Sequence, residues 1–159
     1  MYPTKEEILS EPQLHRPEVI GIVRNWKRTE WKEAKNGSDD LKFLALKSLI
    51  QRIALIYDKQ VNVVYKADAP SCCYIPMFNN AIVINRTLSI ISSLHELAHA
   101  LFGPDETKAC RWSVWLFRKT FKKAYERLEW RGHRLVKRQE EYAVVQSGPG
   151  GEGSPEVQD

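Results

Sequence analysis

The stretch that decides the fold runs from residue 81 to residue 106. It reads Ala81-Ile82-Val83-Ile84-Asn85, then Thr87 and Leu88, then His95-Glu96-Leu97-Ala98-His99 within an apolar segment that ends at Phe102, then Gly103-Pro104-Asp105-Glu106. The short β-branched run up to Asn85 predicts a strand. Thr87 stands where a helix cap is needed, so a helix is expected from about Leu88 to Phe102, stopped by Gly103-Pro104. Asp105 is placed to cap a further helix. Cys110, Val114, Phe117, Phe121, Ala124 or Tyr125, and Leu128 fall at steps of three and four, one buried stripe along it. Gly132 interrupts that helix, and a weaker basic segment is expected to continue to about Val145.

Upstream, Thr4-Lys5-Glu6-Glu7 fits a capping box, so a short helix is expected from Lys5 to before Pro12. Pro17-Glu18 opens a second helix to about Lys35, with Val19, Ile20, Ile22, Val23 and Trp26 on one face. Asn36-Gly37-Ser38-Asp39 ends it and caps a third, from about Asp40 to Tyr57, whose wide apolar arc marks a central core helix. Val61–Lys66 and Cys72–Ile75 read as strands, with a turn at Pro76–Asn80 where Asn79 and Asn80 can take positive φ. The sum is an α+β domain, helix-rich, with a sheet of about three strands. We expect one domain over 1–145: N-terminal helices in 1–58, a core in 60–131 and a basic extension in 132–145. The Gly/Pro/Ser-rich segment 146–159 reads as an acidic disordered tail.

The chain has 159 residues, about one domain's worth. No apolar run approaches ~18 residues, which argues against a membrane partner. No secretory signal is visible at Met1–Glu7, and three cysteines, two of them adjacent at Cys72 and Cys73, make a poor disulfide framework. A reducing, cytoplasmic setting is therefore expected. The net charge of +4 hides an asymmetry: residues 108–138 hold 11 basic and 2 acidic side chains, and residues 139–159 hold 5 acidic and none basic. The basic block can attract nucleic acid or an acidic partner, or can simply be a solvated helix face.

His95-Glu96-Leu97-Ala98-His99 is the specific chemical signal. Histidines at i and i+4 share a helix face, so their imidazoles can converge on one Zn²⁺ at about 2.0–2.1 Å. Glu96 falls beside such an ion without ligating it, placed to take a proton from bound water and pass it to a leaving amine. A hydrolytic zinc site commonly has three protein ligands. Glu106, in the first turn of the next helix, is the first choice for the third. Asp105 is the rival, with a competing duty as N-cap. His133, Cys72, Cys73 and Cys110 are further candidates. Tyr74, His133 and Arg131 are candidate donors to a transition-state oxyanion. Ala81–Asn85 is either an edge strand that would hold an extended substrate or an ordinary core strand. Trp112, Trp115 and Phe117 read as core, whereas Trp26, Trp31 and Trp130 are expected to be partly exposed.

Ala81–Asn85, Leu94–Leu101 and Glu106-Thr107-Lys108-Ala109-Cys110-Arg111-Trp112 together resemble the core of gluzincin-type zinc metallopeptidases, nearest in layout to the small ImmA/IrrE-like branch. In that family a strand ending in Asn precedes the HExxH helix, and the next helix carries Glu-x-x-Ala-Asn/Asp and an aromatic residue. The resemblance implies a minimal zincin fold and puts the third ligand on Glu106, with Ala109 and Trp112 at the family's Ala and aromatic positions. The family's Asn or Asp is Cys110 here, a weak hydrogen-bond partner for a ligating histidine. The resemblance spans about residues 72–118.

Two functional expectations follow. One is a zinc-dependent metallopeptidase with Glu96 as general base, cutting a narrow set of intracellular proteins. By resemblance, these are regulatory proteins of mobile elements or phage. The other is a non-catalytic module that binds nucleic acid or protein through a basic 108–138 helix, its zinc site structural or vestigial.

Overall fold

The computed structural model describes residues 2–138. It is a helix-rich α+β fold with a three-stranded sheet and a separate two-stranded one. The expected tail and the end of the basic extension lie outside the described residues.

Thr4 Oγ1 accepts from the Glu7 N–H and starts α1, Lys5–Ser10. Helix α2, Pro17–Trp26, runs into a π-helical turn at Lys27–Trp31 and then α3, Lys32–Ala34. The π turn has a packing cause. In a regular α-helix, residues five apart diverge by about 140°. Here Trp26 and Trp31 stack with ring centroids 5.1 Å apart. The wider turn brings both indoles inward. Trp26, expected to be partly exposed, is fully buried, and its Nε1 donates to the Ala45 carbonyl at 2.8 Å. Trp31 and Trp130 are half-buried.

Ser38 caps α4, Asp39–Ile56, whose Leu46, Leu49, Ile50 and Ile53 are fully buried. The sheet consists of β1 Asn62–Tyr65, β2 Cys73–Ile75 and β3 Ala81–Ile84. Its order is β1-β3-β2, with β1 parallel and β2 antiparallel to β3. Of the two readings of Ala81–Asn85, substrate-holding edge or ordinary core strand, the structure has the second: β3 is central, buried at all four residues, and the edges are β1 and β2. A central strand covered on both sides reads as a continuous apolar run, which is how Ala81–Ile84 reads.

Beyond β3, the buried Asn85 staples the chain. Its Oδ1 accepts from Thr87 Oγ1 at 2.6 Å and from the Thr87 N–H, and its Nδ2 donates to the Ala69 carbonyl. Thr87 is thereby occupied. Leu88 then takes a positive φ of 48°, and Ser89, rather than Thr87, caps α5, Ile90–Phe102. Asp105 caps α6, Glu106–Thr120.

The expected long basic helix stops at Thr120. A kink at Phe121 leads to α7, Lys122–Glu126, and then to a hairpin of β4, Leu128–Arg131, and β5, Arg134–Lys137. Gly132, at φ 62°, makes its turn, a conformation that favours glycine. Trp130 and Leu135 face one another across the hairpin and pack with Ile8, Cys110 and Val114. The hairpin thus closes over the start of α6. Among the described residues, no helix is long and apolar enough to cross a membrane.

Candidate metal centre

Helices α5 and α6 are joined by Gly103, Pro104 and Asp105 alone. Gly103 sits at φ 103°, ψ −168°, open only to glycine without strain. That turn folds α6 back along α5 and brings the first residue of α6 opposite the last turns of α5. His95, His99 and Glu106 meet there.

The meeting is close. His95 Nε2 lies 3.1 Å from Glu106 Oε2, His99 Nε2 lies 3.0 Å from Glu106 Oε1, and the two Nε2 atoms are 3.2 Å apart. Two ligands at about 2.0–2.1 Å from one tetrahedral ion are about 3.3 Å from each other. The observed separations therefore match the ligand shell of a single small cation. No other group of three or more His, Cys, Asp or Glu side chains among the described residues gathers this way.

Tautomers sharpen the point. His99 Nδ1 lies 2.9 Å from the Gly103 carbonyl, which only accepts, so Nδ1 carries the proton and Nε2 presents a bare lone pair. Burial holds His95 below the ordinary imidazole range, against the opposing pull of the Glu106 carboxylate. Glu106 Oε2 is buried and accepts no hydrogen bond. Lone pairs converging on one point is an arrangement that a cation relieves. The donor set of two imidazoles and one carboxylate suits a divalent ion, and the three side chains remain 10–30% exposed, so one side of the site stays open.

The two histidines are not equally braced. His99 has a carbonyl on its Nδ1. His95 Nδ1 has the Cys110 thiol at 3.8 Å, a weak partner. Burial, reinforced by Glu106 and Glu96, pushes that thiol up to about 12, so it stays protonated.

Glu96 stands outside the cluster. Burial pushes its carboxyl up to about 7; His99 holds it down, Glu106 adds to the rise, and a hydrogen bond from the Tyr74 backbone holds it down again. A carboxyl titrating near neutrality beside a cation site can both take and return a proton. The Tyr74 contact also places β2, the sheet edge, alongside α5.

The remaining candidates are placed elsewhere. Asp105 Oδ1 accepts from the Thr107 and Lys108 N–H groups at 2.9 and 3.2 Å; as the cap of α6, it is not in the cluster. The Tyr74 hydroxyl donates to Asn80 Oδ1 at 2.9 Å, so its backbone rather than its side chain faces the site. Arg131 is held by Glu129. Cys72 points its thiol at Asn85, and neither it nor Cys73 joins the cluster. His133 stacks on Tyr2 with ring centroids 4.1 Å apart in the hairpin turn and is not in the cluster. Sequence reasoning missed the Gly103 carbonyl as the brace of His99. The available signal was a glycine ending a helix four residues after a histidine.

The basic run 108–138 is not one helical face. Arg111 donates to the Glu7 carbonyl and pairs with Glu11, Arg118 lies over Trp115 and Tyr125, and Lys119 donates to the Gln13 carbonyl. Compared with known proteins, the chain matches no family model, no curated protein and no solved structure.

Proposed function

We propose that the chain is a small zinc-dependent metallopeptidase of the gluzincin type. The observation that supports this most is the convergence of His95, His99 and Glu106 at the spacing of one tetrahedral ligand shell, with Glu96 beside it. His95 Nε2, His99 Nε2 and a Glu106 oxygen would hold Zn²⁺. When bound, zinc polarises a carbonyl and lowers the pKa of water.

The protein's own part is proton transfer and placement. Glu96, poised by burial near neutrality, accepts a proton from the attacking water and delivers it to the leaving amine. The β2 edge offers main-chain groups at Cys73–Ile75 to an extended peptide, which would lie antiparallel or parallel to it beside Glu96. The ImmA/IrrE-like layout favours a narrow set of intracellular protein substrates, regulatory proteins among them.

The test is metal content by elemental mass spectrometry on protein purified without chelators, with Glu106→Ala and Glu96→Gln beside wild type. One zinc per chain in wild type and in Glu96→Gln, with loss in Glu106→Ala, is expected. Peptide-bond cleavage should then be present in wild type and absent in Glu96→Gln. A wild-type chain that takes up no zinc even when supplied with it would overturn the proposal.

A further inference from the structure

Away from the metal centre, the end of α6 meets the π turn. Lys27 Nζ donates to the Thr120 carbonyl at 3.0 Å and lies 5.0 Å from the Phe121 ring centroid. Arg24, Lys27, Arg28 and Thr120 line a concavity of about 230 Å³ there. The chain then continues into Lys122 and Lys123, the first residues of α7. Lys27 neutralises the carbonyl end of α6. Arg24, Arg28, Lys122 and Lys123 are exposed and make no side-chain hydrogen bond or ion pair with any of the described residues. Glu30, within the π turn, is already taken by Arg52 at 3.1 Å, and Glu126 closes α7 one turn after Lys122.

From this cluster we infer a second binding surface: Arg24, Arg28, Lys122 and Lys123 form a seat for the phosphodiester backbone of a nucleic-acid duplex. Unpaired cations presented around a concave site attract phosphate. Arg24 and Arg28, one helical turn apart, present two guanidinium forks to phosphate oxygens. None of the exposed large apolar side chains lines this concavity. It therefore offers no aromatic platform for unstacked bases, which disfavours a single strand. It also offers no apolar anchor for a membrane surface, where charge alone holds weakly. The contact is with backbone charge and is not sequence-specific. It differs from the basic run read in the sequence, because it draws half its charge from α2 and the π turn and leaves out the engaged Arg111, Arg118 and Lys119. The surface stands independently of the metal centre.

The experiment is fluorescence-anisotropy binding of short DNA and RNA duplexes by the full chain across salt concentrations. Four phosphate contacts give a log–log salt slope of about −3.6, so affinity should fall about 150-fold between 50 and 200 mM salt. Arg24→Gln with Arg28→Gln should flatten the slope by about 1.8, and adding Lys122→Gln and Lys123→Gln should remove duplex binding. Thermal melting and zinc content of the variants should match wild type, which separates loss of the surface from loss of the fold or of the metal site. The two duplexes should bind within about tenfold of each other, as backbone charge dictates. The inference is overturned by any one of four results: no duplex binding at 50 mM salt, full binding by the quadruple variant, equal binding of polyglutamate or anionic vesicles, or preference for a single strand.

Discussion

Cys110→Asp should tighten metal binding while weakening the metal-free fold. The thiol stands 3.8 Å from His95 Nδ1, too far and too weak a partner to orient the ring firmly. An aspartate oxygen reaches about 0.6 Å further from the backbone than a cysteine sulfur, which brings the separation to about 3.2 Å, inside the N–H···O range. A carboxylate there would fix the Nδ1–H tautomer and raise the basicity of Nε2. Partners of this kind are worth 10–100-fold in metal affinity, or about 1.4–2.7 kcal/mol. Cys110→Ser is the control, because a hydroxyl oxygen is about 0.4 Å shorter in reach and leaves a gap of about 4.2 Å. It should bind zinc within about threefold of wild type. In the metal-free state the sign reverses for aspartate. The site is 5% exposed and lies near Glu106 and Glu96, so a new carboxylate there is desolvated and repelled. Competition against a chromophoric zinc chelator measures affinity, and melting with and without zinc measures both signs. A folded aspartate variant that binds zinc no tighter than wild type would refute the reasoning.

Other outcomes follow from the same structure. Gly103→Ala meets no steric neighbour but forces a side chain onto φ 103°; it should cost about 1–3 kcal/mol and loosen metal binding by moving the carbonyl that holds His99, read by melting and chelator competition. His15 is half-buried, its Nε2 donating to the Trp112 carbonyl and its Nδ1 facing the Lys119 ammonium, and burial lowers it to about 4. The unfolded chain binds that proton near pH 6.5, so the contribution is complete above 6.5 and is lost as pH falls toward 4, up to about 3 kcal/mol. His15→Gln should show a correspondingly smaller loss of melting temperature over that interval. Trp26→Phe removes the bond to the Ala45 carbonyl and part of a fully buried ring, and should cost about 2–4 kcal/mol by denaturant unfolding.

The helices around the site were legible because their signals are local. The His95 and His99 spacing, the Gly103-Pro104 break and the Asp105 cap each act within a turn or two. The place of β3 was not legible: its apolar run suits a central strand, but its pairing with β1 from a distant segment has no local mark. The hairpin at 128–137 was read as basic helix. Its alternation is only four residues long on each arm, and Lys and Arg at its ends match a helical surface equally well. Trp26 was misjudged for a different reason. Counting 3.6 residues per turn puts Trp31 away from it, and only the π turn aligns the two. Thr87 lost its capping role to a long-range competitor, Asn85, whose side chain occupies its hydroxyl.

All three cluster residues lie within positions 95–106, a proximity that bears on folding thermodynamics. Bringing them together closes only a short loop, a step of about 10–100 ns for a chain of that length. A segment so compact in sequence can hold a cation weakly even in the denatured chain. Any ion bound there lowers the free energy of both states, and its net stabilisation is the difference between two affinities rather than the native one alone. Stability gained from metal should therefore level off at high ion concentration, where the denatured chain also becomes loaded, instead of rising without limit.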